Sequence, residues 1–384
     1  MKLPEYKAKE LFGKYGMNIM KGIVADEADA IADRIEAAKI SYPVVIKAQI
    51  PAGGRGKAGG VKFAEDGAGA TDAARAMLGG DIGGHTVEKL LVAEKLELDQ
   101  EWYLSITIDR ASKCPLVIFS ASGGADIEQT AKTNPESIVK ITINPLSGIA
   151  DYTVRYIIGK SGIPASYVDE LAALLGRLYG IFTDYSCLVA EINPLAVPKD
   201  GGGLVALDAK IEIDDDAVGG LSDMAEFAQS QKTDPRITEA AKFGLLYIPL
   251  ESEGEIGVIS NGSGMLMSCI DQFAKKGMKV GAALDLGGGA TAGRVKEAVR
   301  IMLESEGIHT LFLCIFGGIT RCDEVANGVR EALGQLGPDK SIALRMEGTN
   351  KEKGFEILRG ANQVAAVGDI PDAVNLIYER SFGK

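Results

Sequence analysis

Hydrophobic and polar positions along this chain follow two different rhythms. Near the amino end, Ala8, Leu11, Phe12 and Tyr15 recur at helical spacing, and Gly16 stands where a helix can stop. Apolar, β-rich runs then predict strands at 43–48, 88–94, 102–108, 115–120 and 137–143. A helix is predicted over 167–184, where Val168, Leu171, Leu175 and Leu178 line one face as core packing. The runs LVAEI at 188–192 and LVALDAKIEI at 204–213 flank Gly201-Gly202-Gly203 and read as a hairpin. Neighbouring, turn-connected strands of this kind predict a largely antiparallel α+β part, ending near residue 236.

Polar, irregular sequence over 214–236 separates this part from the second rhythm. From about residue 254, apolar strand, glycine-rich turn and amphipathic helix repeat, with strands at 256–260, 279–285, 310–316, 341–346 and 363–367. Continuous apolar strands alternating with helices predict a doubly wound parallel sheet. At 384 residues the chain is long for one core, so two domains are expected, 1–236 and 237–384.

Composition narrows the function classes. The chain is 46% hydrophobic and 24% charged, as globular proteins are, with a net charge of -12. No Lys/Arg cluster is long enough to track a phosphate backbone, so no nucleic-acid partner is expected. No apolar run suits a signal core or a bilayer span, so no membrane is expected either. The five cysteines form no C-x-x-C pair and read as reduced, mostly buried thiols of a cytoplasmic protein. There are only two histidines, His85 and His309.

Candidate chemistry gathers at glycines. PAGGRGKAGG, residues 51–60, follows the strand ending in Lys47, yet it is no P-loop. Ala58 stands where that motif needs Ser or Thr. It reads either as a solvated surface loop or as unobstructed N–H groups with Arg55 and Lys57 closing over a polyphosphate. In the second part, turns beginning at Asn261, Asp285, Gly317 and Gly348 feed four helix starts on one sheet edge. One such turn needs glycine for tightness alone; four together predict an anion site. On the 188–192 strand and just beyond it, Glu191 and Asn193 share a face. A cross-strand Asp208 would complete a hard-oxygen set suited to Mg²⁺ bound with nucleotide phosphates. Lys47 could contact phosphate oxygens, and Glu101, beside Trp102 and Tyr103, is a candidate nucleotide contact.

EYKAKELFGKYG, VVIKAQIPAGGRGKAGG, EINPL at 191–195, LDLGGGAT at 284–291 and IFGGITRCDEVANG at 315–328 occur in this order in one family. From end to end the chain resembles the β subunits of succinyl-CoA synthetase (succinate–CoA ligase). The resemblance implies an N-terminal ATP-grasp domain followed by a flavodoxin-like, doubly wound parallel-sheet CoA-ligase domain. It implies that Lys47 and Gly54-Arg55-Gly56 bind the phosphates of ATP or GTP, with Glu101 and the backbone near Ala93 and Leu96 lining the site. Asn193 and Asp208 would hold Mg²⁺. Asn261, Gly318, Ile319 and Thr320 would bind succinate or a related dicarboxylate. Glu191 would be catalytic, facing a phosphohistidine carried by an α subunit that also supplies most of the CoA site. The implied reaction is acid + CoA + NTP to acyl-CoA + NDP + phosphate, through an acyl phosphate.

Three positions depart from the family pattern. Ala93 replaces a frequent glutamate, Ser263 stands in Asn-Gly-Ser-Gly where alanine is usual, and Thr320 replaces a common valine. The last two leave malate or another short dicarboxylate open as the acid. Met20, apolar near the purine pocket in the family, favours ATP over GTP. From other classes, a non-catalytic nucleotide-sensing subunit predicts a damaged metal site, whereas Glu191, Asn193 and Asp208 are all present. A self-contained ATP-grasp carboxylate–amine ligase would leave the four aligned turns without a purpose.

Overall fold

The computed structural model describes residues 1–384 except 51–54, 57, 125–126, 231–233, 306, 335–336, 338 and 383–384. The chain divides into two compact units, Met1–Ser230 and Gln231–Lys384.

In the first unit every pairing between the described strands is antiparallel. A four-stranded sheet runs in the order Gly22–Ala25, Leu90–Glu94, Val44–Ala48, Val61–Ala64. The helices Ile31–Ala37 and Gly67–Met77 pack on it through Ile31, Ile35, Ala70, Ala74 and Met77. A larger sheet is built around the long strand Cys187–Pro198, which pairs with Leu98–Asp109 on one side and with Val205–Ala206 and Lys210–Ile213 on the other. The helix Val168–Asp184 covers it with Leu171, Leu174, Leu175, Leu178, Ile181 and Phe182; of the predicted stripe Leu171, Leu175 and Leu178 are buried, and Val168 is partly buried against the same core. Helix Glu5–Lys14 adds Ala8, Leu11 and Phe12 to the same core. Gly16 follows with φ +71°, the left-handed geometry that suits a helix stop.

The predicted 204–213 strand is broken. Ladder pairing holds at Val205–Ala206 and resumes at Lys210, leaving 207–209 out of it. The break has a consequence for Asp208, considered below.

The second unit is a six-stranded sheet ordered Leu246–Pro249, Val280–Asp285, Ile256–Ser260, Thr310–Gly317, Ser341–Gly348, Val364–Ala366. The last five are mutually parallel, and their order is that of flavodoxin-like sheets. Side chains alternate between two cores. Leu311, Leu313 and Ile315 face the helices Ala292–Leu303 and Cys322–Leu333, whereas Phe312 and Cys314 face Ser263–Lys275 and Ile370–Phe382. The first strand, Leu246–Pro249, is an antiparallel edge that the apolar pattern did not predict. Helix Pro235–Lys242 precedes it, opened by Asp234, whose carboxylate accepts from the Arg236 N–H at 3.0 Å, and by proline at the first helical position.

Candidate functional site

The strand Val44–Ala48 turns through the glycine-rich stretch into Val61–Ala64, so this stretch is a hairpin connection. Its described part folds back on itself, with Gly60 N–H donating to Arg55 O at 2.8 Å and Ala48 N–H to Gly60 O at 2.9 Å. Gly54 and Lys57 lie outside the described residues. Arg55 is tied to the end of the first strand, its Nη1 donating to Ala48 O at 3.2 Å.

Lys47 and Arg55 converge on two carboxylates. Lys47 Nζ lies 2.8 Å from Glu5 Oε1 and 3.5 Å from Asp208 Oδ2. Arg55 Nη2 lies 2.9 Å from Glu5 Oε2 and 3.2 Å from Asp208 Oδ1. Lys9 Nζ, one helical turn after Glu5, closes the cluster at 3.0 Å from Glu5 Oε1. Among the described residues, three cations thus face two anions, leaving one net positive charge in a largely buried place.

Burial by itself would raise the Glu5 carboxyl, yet Lys47, Lys9 and Arg55 outweigh it and bring it down to about 2. Burial lowers Lys9, against the pull of Glu5. For Lys47, burial also works to lower the pKa, and the charges of Glu5 and Asp208 overcome it, so Lys47 ends raised. Asp208 is pushed up by burial and then by Glu5, against Lys47 and Arg55. The two carboxylates differ in access. The Glu5 side chain is fully sealed, whereas Asp208 keeps 30% of its side-chain exposure.

The strand break explains that opening. The register pairs Leu195 with Ala206 and Glu191 with Lys210. Continued from both sides, it sets Asn193 opposite Asp208. Asp208 sits where the ladder is interrupted, its carboxylate accepting from the Ala209 N–H at 2.8 Å. Asn193 binds Gly124 through both ends of its amide, accepting from N–H at 2.7 Å and donating to O at 3.1 Å. Glu191, two residues back, accepts from Tyr103 Oη at 3.2 Å and lies 3.8 Å from Lys210 Nζ.

Glu101 stands on the exposed side of Leu98–Asp109, opposite Ala196. Gly123 crosses this strand so closely that a Cβ there would meet Trp102 O at 2.3 Å. Gly124, with φ +93°, brings the same loop to both Glu101 and Asn193. Ala93 is buried in the centre of the four-stranded sheet, facing Gly22 and Val45. Leu96 is half-buried in the turn that follows.

Among the described residues no group of three or more His, Cys, Asp and Glu gathers as a metal site. The donor set at Asn193 and Asp208 nevertheless suits Mg²⁺. That ion takes one or two protein oxygens and completes its shell with phosphates and water.

In the second unit the four predicted turns all follow the carboxyl ends of parallel strands and precede helices starting at Ser263, Ala292, Cys322 and Lys351. Asn261 ties two strand ends together, donating to Phe316 O and accepting from Phe316 N–H, both at 2.9 Å. This uses one of its two amide N–H donors. Gly318 is exposed, with open space where a Cβ would be, and Ile319 is 86% exposed. Thr320 is different. It is buried, and its Oγ1 accepts from Gly289 N–H at 3.0 Å and Ala290 N–H at 3.4 Å. Its hydroxyl therefore shapes the neighbouring glycine turn.

Glu5, Lys9, Tyr103 and Gly124 were not anticipated from the sequence. A signal existed for the first two. Glu5 and Lys9 fall four apart on the helix face that also carries Ala8 and Phe12. Charged groups on an apolar face are sealed only when paired.

Comparison with known proteins gives this arrangement a family. Residues 2–197 match the ATP-grasp domain family and residues 259–370 the CoA-ligase family. The chain is 43% identical over 366 residues to the succinate–CoA ligase [ADP-forming] β subunit of Pyrobaculum calidifontis, covering 93% of this chain and 94% of that protein. It is 40% identical over 363 residues to the succinate–CoA ligase [GDP-forming] β subunit of Thermus thermophilus, covering 94% of each. Among solved structures, ATP citrate lyase from Methanothrix soehngenii, in complex with citrate and coenzyme A, matches in fold with a TM-score of 0.75. That match is at 19% identity and covers 98% of this chain and 99% of that one. The chain belongs to the succinate–CoA ligase β-subunit family, nucleotide-dependent acid–CoA ligases in which an ATP-grasp domain precedes a CoA-ligase domain.

Proposed function

We propose that this chain joins an α subunit to convert succinate, CoA and ATP reversibly into succinyl-CoA, ADP and phosphate, in the cytoplasm. The observation that carries the reading is the convergence of Lys47 and Arg55 on a half-open Asp208 opposite Asn193. Two basic side chains beside an accessible carboxylate form a receptor for a metal-chelated polyphosphate. Lys47 and Arg55 bind the phosphates, Gly56 lets the backbone beside Arg55 approach them, and Gly54 is assigned to the same phosphates. Glu101, Leu96 and the backbone at Ala93 border the rest of the nucleotide. Asn193 and Asp208 would hold Mg²⁺, which when bound neutralises phosphate charge. Glu191 faces the phosphohistidine of the α subunit, and Tyr103 fixes its carboxylate.

At the second unit's sheet edge, Asn261 and the Gly318-Ile319 tip receive the carboxylates of the acid, where helix N-termini favour anions. Replacing Gly318 with leucine is expected to raise the acid KM at least about tenfold while changing the nucleotide KM less than about twofold. Because a Cβ there meets nothing within 4 Å, the fold tolerates the change. Equal effects on both substrates would assign this edge to the nucleotide.

The Thr320 hydroxyl oxygen accepts from two backbone donors, so its role is read as shaping the adjoining turn and not as choosing a hydroxy acid. Thr320→Val is expected to cost about 1–2 kcal/mol of stability through those unsatisfied N–H groups. The malate-to-succinate ratio should stay unchanged. Calorimetry and competition kinetics check the two parts. Steady-state kinetics of the αβ complex with succinate, malate, ATP and GTP test the whole reading. Turnover of neither acid would overturn it.

A further inference from the structure

Glu5 is the one member of the charge cluster with no outlet to solvent. Its carboxylate is fully sealed, and all three of its ion pairs, to Lys9, Lys47 and Arg55, lie between 2.8 and 3.0 Å. Asp208 shares Lys47 and Arg55 at the longer distances of 3.5 and 3.2 Å and is partly open. Lys47 and Arg55 repel one another, so two basic groups side by side need an anion between them to stay aimed at one place. Two anions serve here, and only one of them is available to a metal. Once Asp208 turns to a metal chelated by phosphates, the protein has only Glu5 left between the two cations.

We infer that Glu5 is a positioning residue for nucleotide binding: a fixed counter-anion, carried by the first helical turn, that holds Lys47 and Arg55 toward the phosphates. The inference rests on the nucleotide reading of that site and adds to it a group that never touches the nucleotide. Lys9 shares Oε1 of that carboxylate with Lys47, and Arg55 takes Oε2. The helix Glu5–Lys14 is anchored by Ala8, Leu11 and Phe12 in the core of the larger sheet, whereas Lys47 belongs to the smaller one. Glu5 thereby fixes the phosphate-facing cations to the sheet that carries Asn193.

The test compares full-length variants in the αβ complex, with Mg·ADP calorimetry on the complete chain as a readout independent of turnover. Glu5→Gln is expected to raise the nucleotide KM and the Mg·ADP Kd at least about tenfold, leaving the acid and CoA KM values within about twofold. Glu5→Asp should recover most of that loss, to within about threefold of the parent. Glu5→Gln also strands Lys9 in a buried place, so the Glu5→Gln/Lys9→Met double variant removes both charges and protects the fold. It should show the same tenfold nucleotide defect. A folded double variant with the parent nucleotide KM would mean that Glu5 merely neutralises Lys9, and would overturn the proposal. So would a uniform rise in every KM. Lys47→Ala separates the two readings. If it weakens nucleotide while Glu5→Gln does not, only the role of Glu5 falls. If Lys47→Ala leaves nucleotide affinity intact, the nucleotide site itself has been misplaced.

Discussion

Asp208→Ala is expected to lower magnesium- and nucleotide-dependent phosphorylation in the αβ complex by at least about 1000-fold, near 4 kcal/mol of transition-state stabilisation. The side chain combines two roles that no neighbour can replace. It is the partly open carboxylate of the cluster, and on the proposed reading its place opposite Asn193 would make it a hard-oxygen donor to the metal. Removing it raises the local charge of the described cluster from one to two net positives, with Glu5 as its remaining anion. Free phosphates should still be attracted to that charge, so nucleotide without metal is expected to bind nearly as well as before. The loss falls on the metal-dependent step. The fold should survive, because Asp208 lies outside the ladder and retains solvent contact. Phosphorylation with γ-labelled nucleotide across a Mg²⁺ titration, with circular dichroism as the folding control, measures both. Asp208→Asn, which keeps the shape and one oxygen donor, should fall between the two proteins. Normal turnover in Asp208→Ala would remove the metal assignment.

Much of the fold was legible in the sequence because burial on both faces leaves a simple trace. The strands at 256–260 and 310–316 read as unbroken apolar runs, and they occupy Ile256–Ser260 and Thr310–Gly317 between helices on both sides. The edge strand Leu246–Pro249 left no such trace. It is half exposed, ends in proline and pairs with a single neighbour. Strands Gly22–Ala25 and Val61–Ala64, at the two edges of the smaller sheet, escaped for the same reason. Local pattern also joined 204–213 into one strand. LVALDAKIEI does alternate, but the side chain of Asp208 has to leave the ladder to meet Lys47 and Arg55, a demand made by residues more than 150 positions away. In the candidate site, Lys47, Arg55, Asn193 and Asp208 could be named one by one from motif and spacing. The partnership with Glu5 and Lys9 could not be read from the pattern. It depends on which helix face meets which sheet, and the usual meaning of Glu and Lys four apart is a solvated pair. Thr320 teaches a similar lesson. A polar residue in a glycine turn reads from the sequence as a contact for substrate, and the pattern gives no sign that its hydroxyl oxygen also accepts from the adjoining turn.

The chain by itself, given γ-labelled nucleotide and Mg²⁺, is expected to acquire no acid-labile phosphate, and to support labelling only when an α subunit is added. Passing a phosphoryl group between sites carried on two different domains calls for a nucleophilic carrier, and histidine is the side chain suited to that. This chain offers two, and among the described residues neither is seen joined to the groups proposed for the chemistry. His85 is half-buried in the small hairpin Asp81–Ile82/His85–Thr86, with no ion pair or hydrogen bond to Lys47, Arg55 or Asp208 among those described. His309 precedes Thr310–Gly317 at the amino end of the strand, with Nδ1 3.7 Å from Asp339. The glycine turn that would receive the acid begins at the other end of that strand. At about 3.3 Å per residue the two are more than about 20 Å apart, far beyond the contact that in-line attack needs. The carrier is accordingly assigned to a second chain, and the succinate–CoA ligase relatives, named as β subunits, point to an α subunit as its source. The turns at Asn261 and Gly318 lead into helices of thirteen and twelve residues, whose N-termini would steady a phosphohistidine presented to them. His85→Asn and His309→Asn should leave labelling of the αβ complex within about twofold of the parent. Acid-labile label on the isolated chain, lost on mutating either histidine, would sink the two-subunit reading and place the carrier within the β chain.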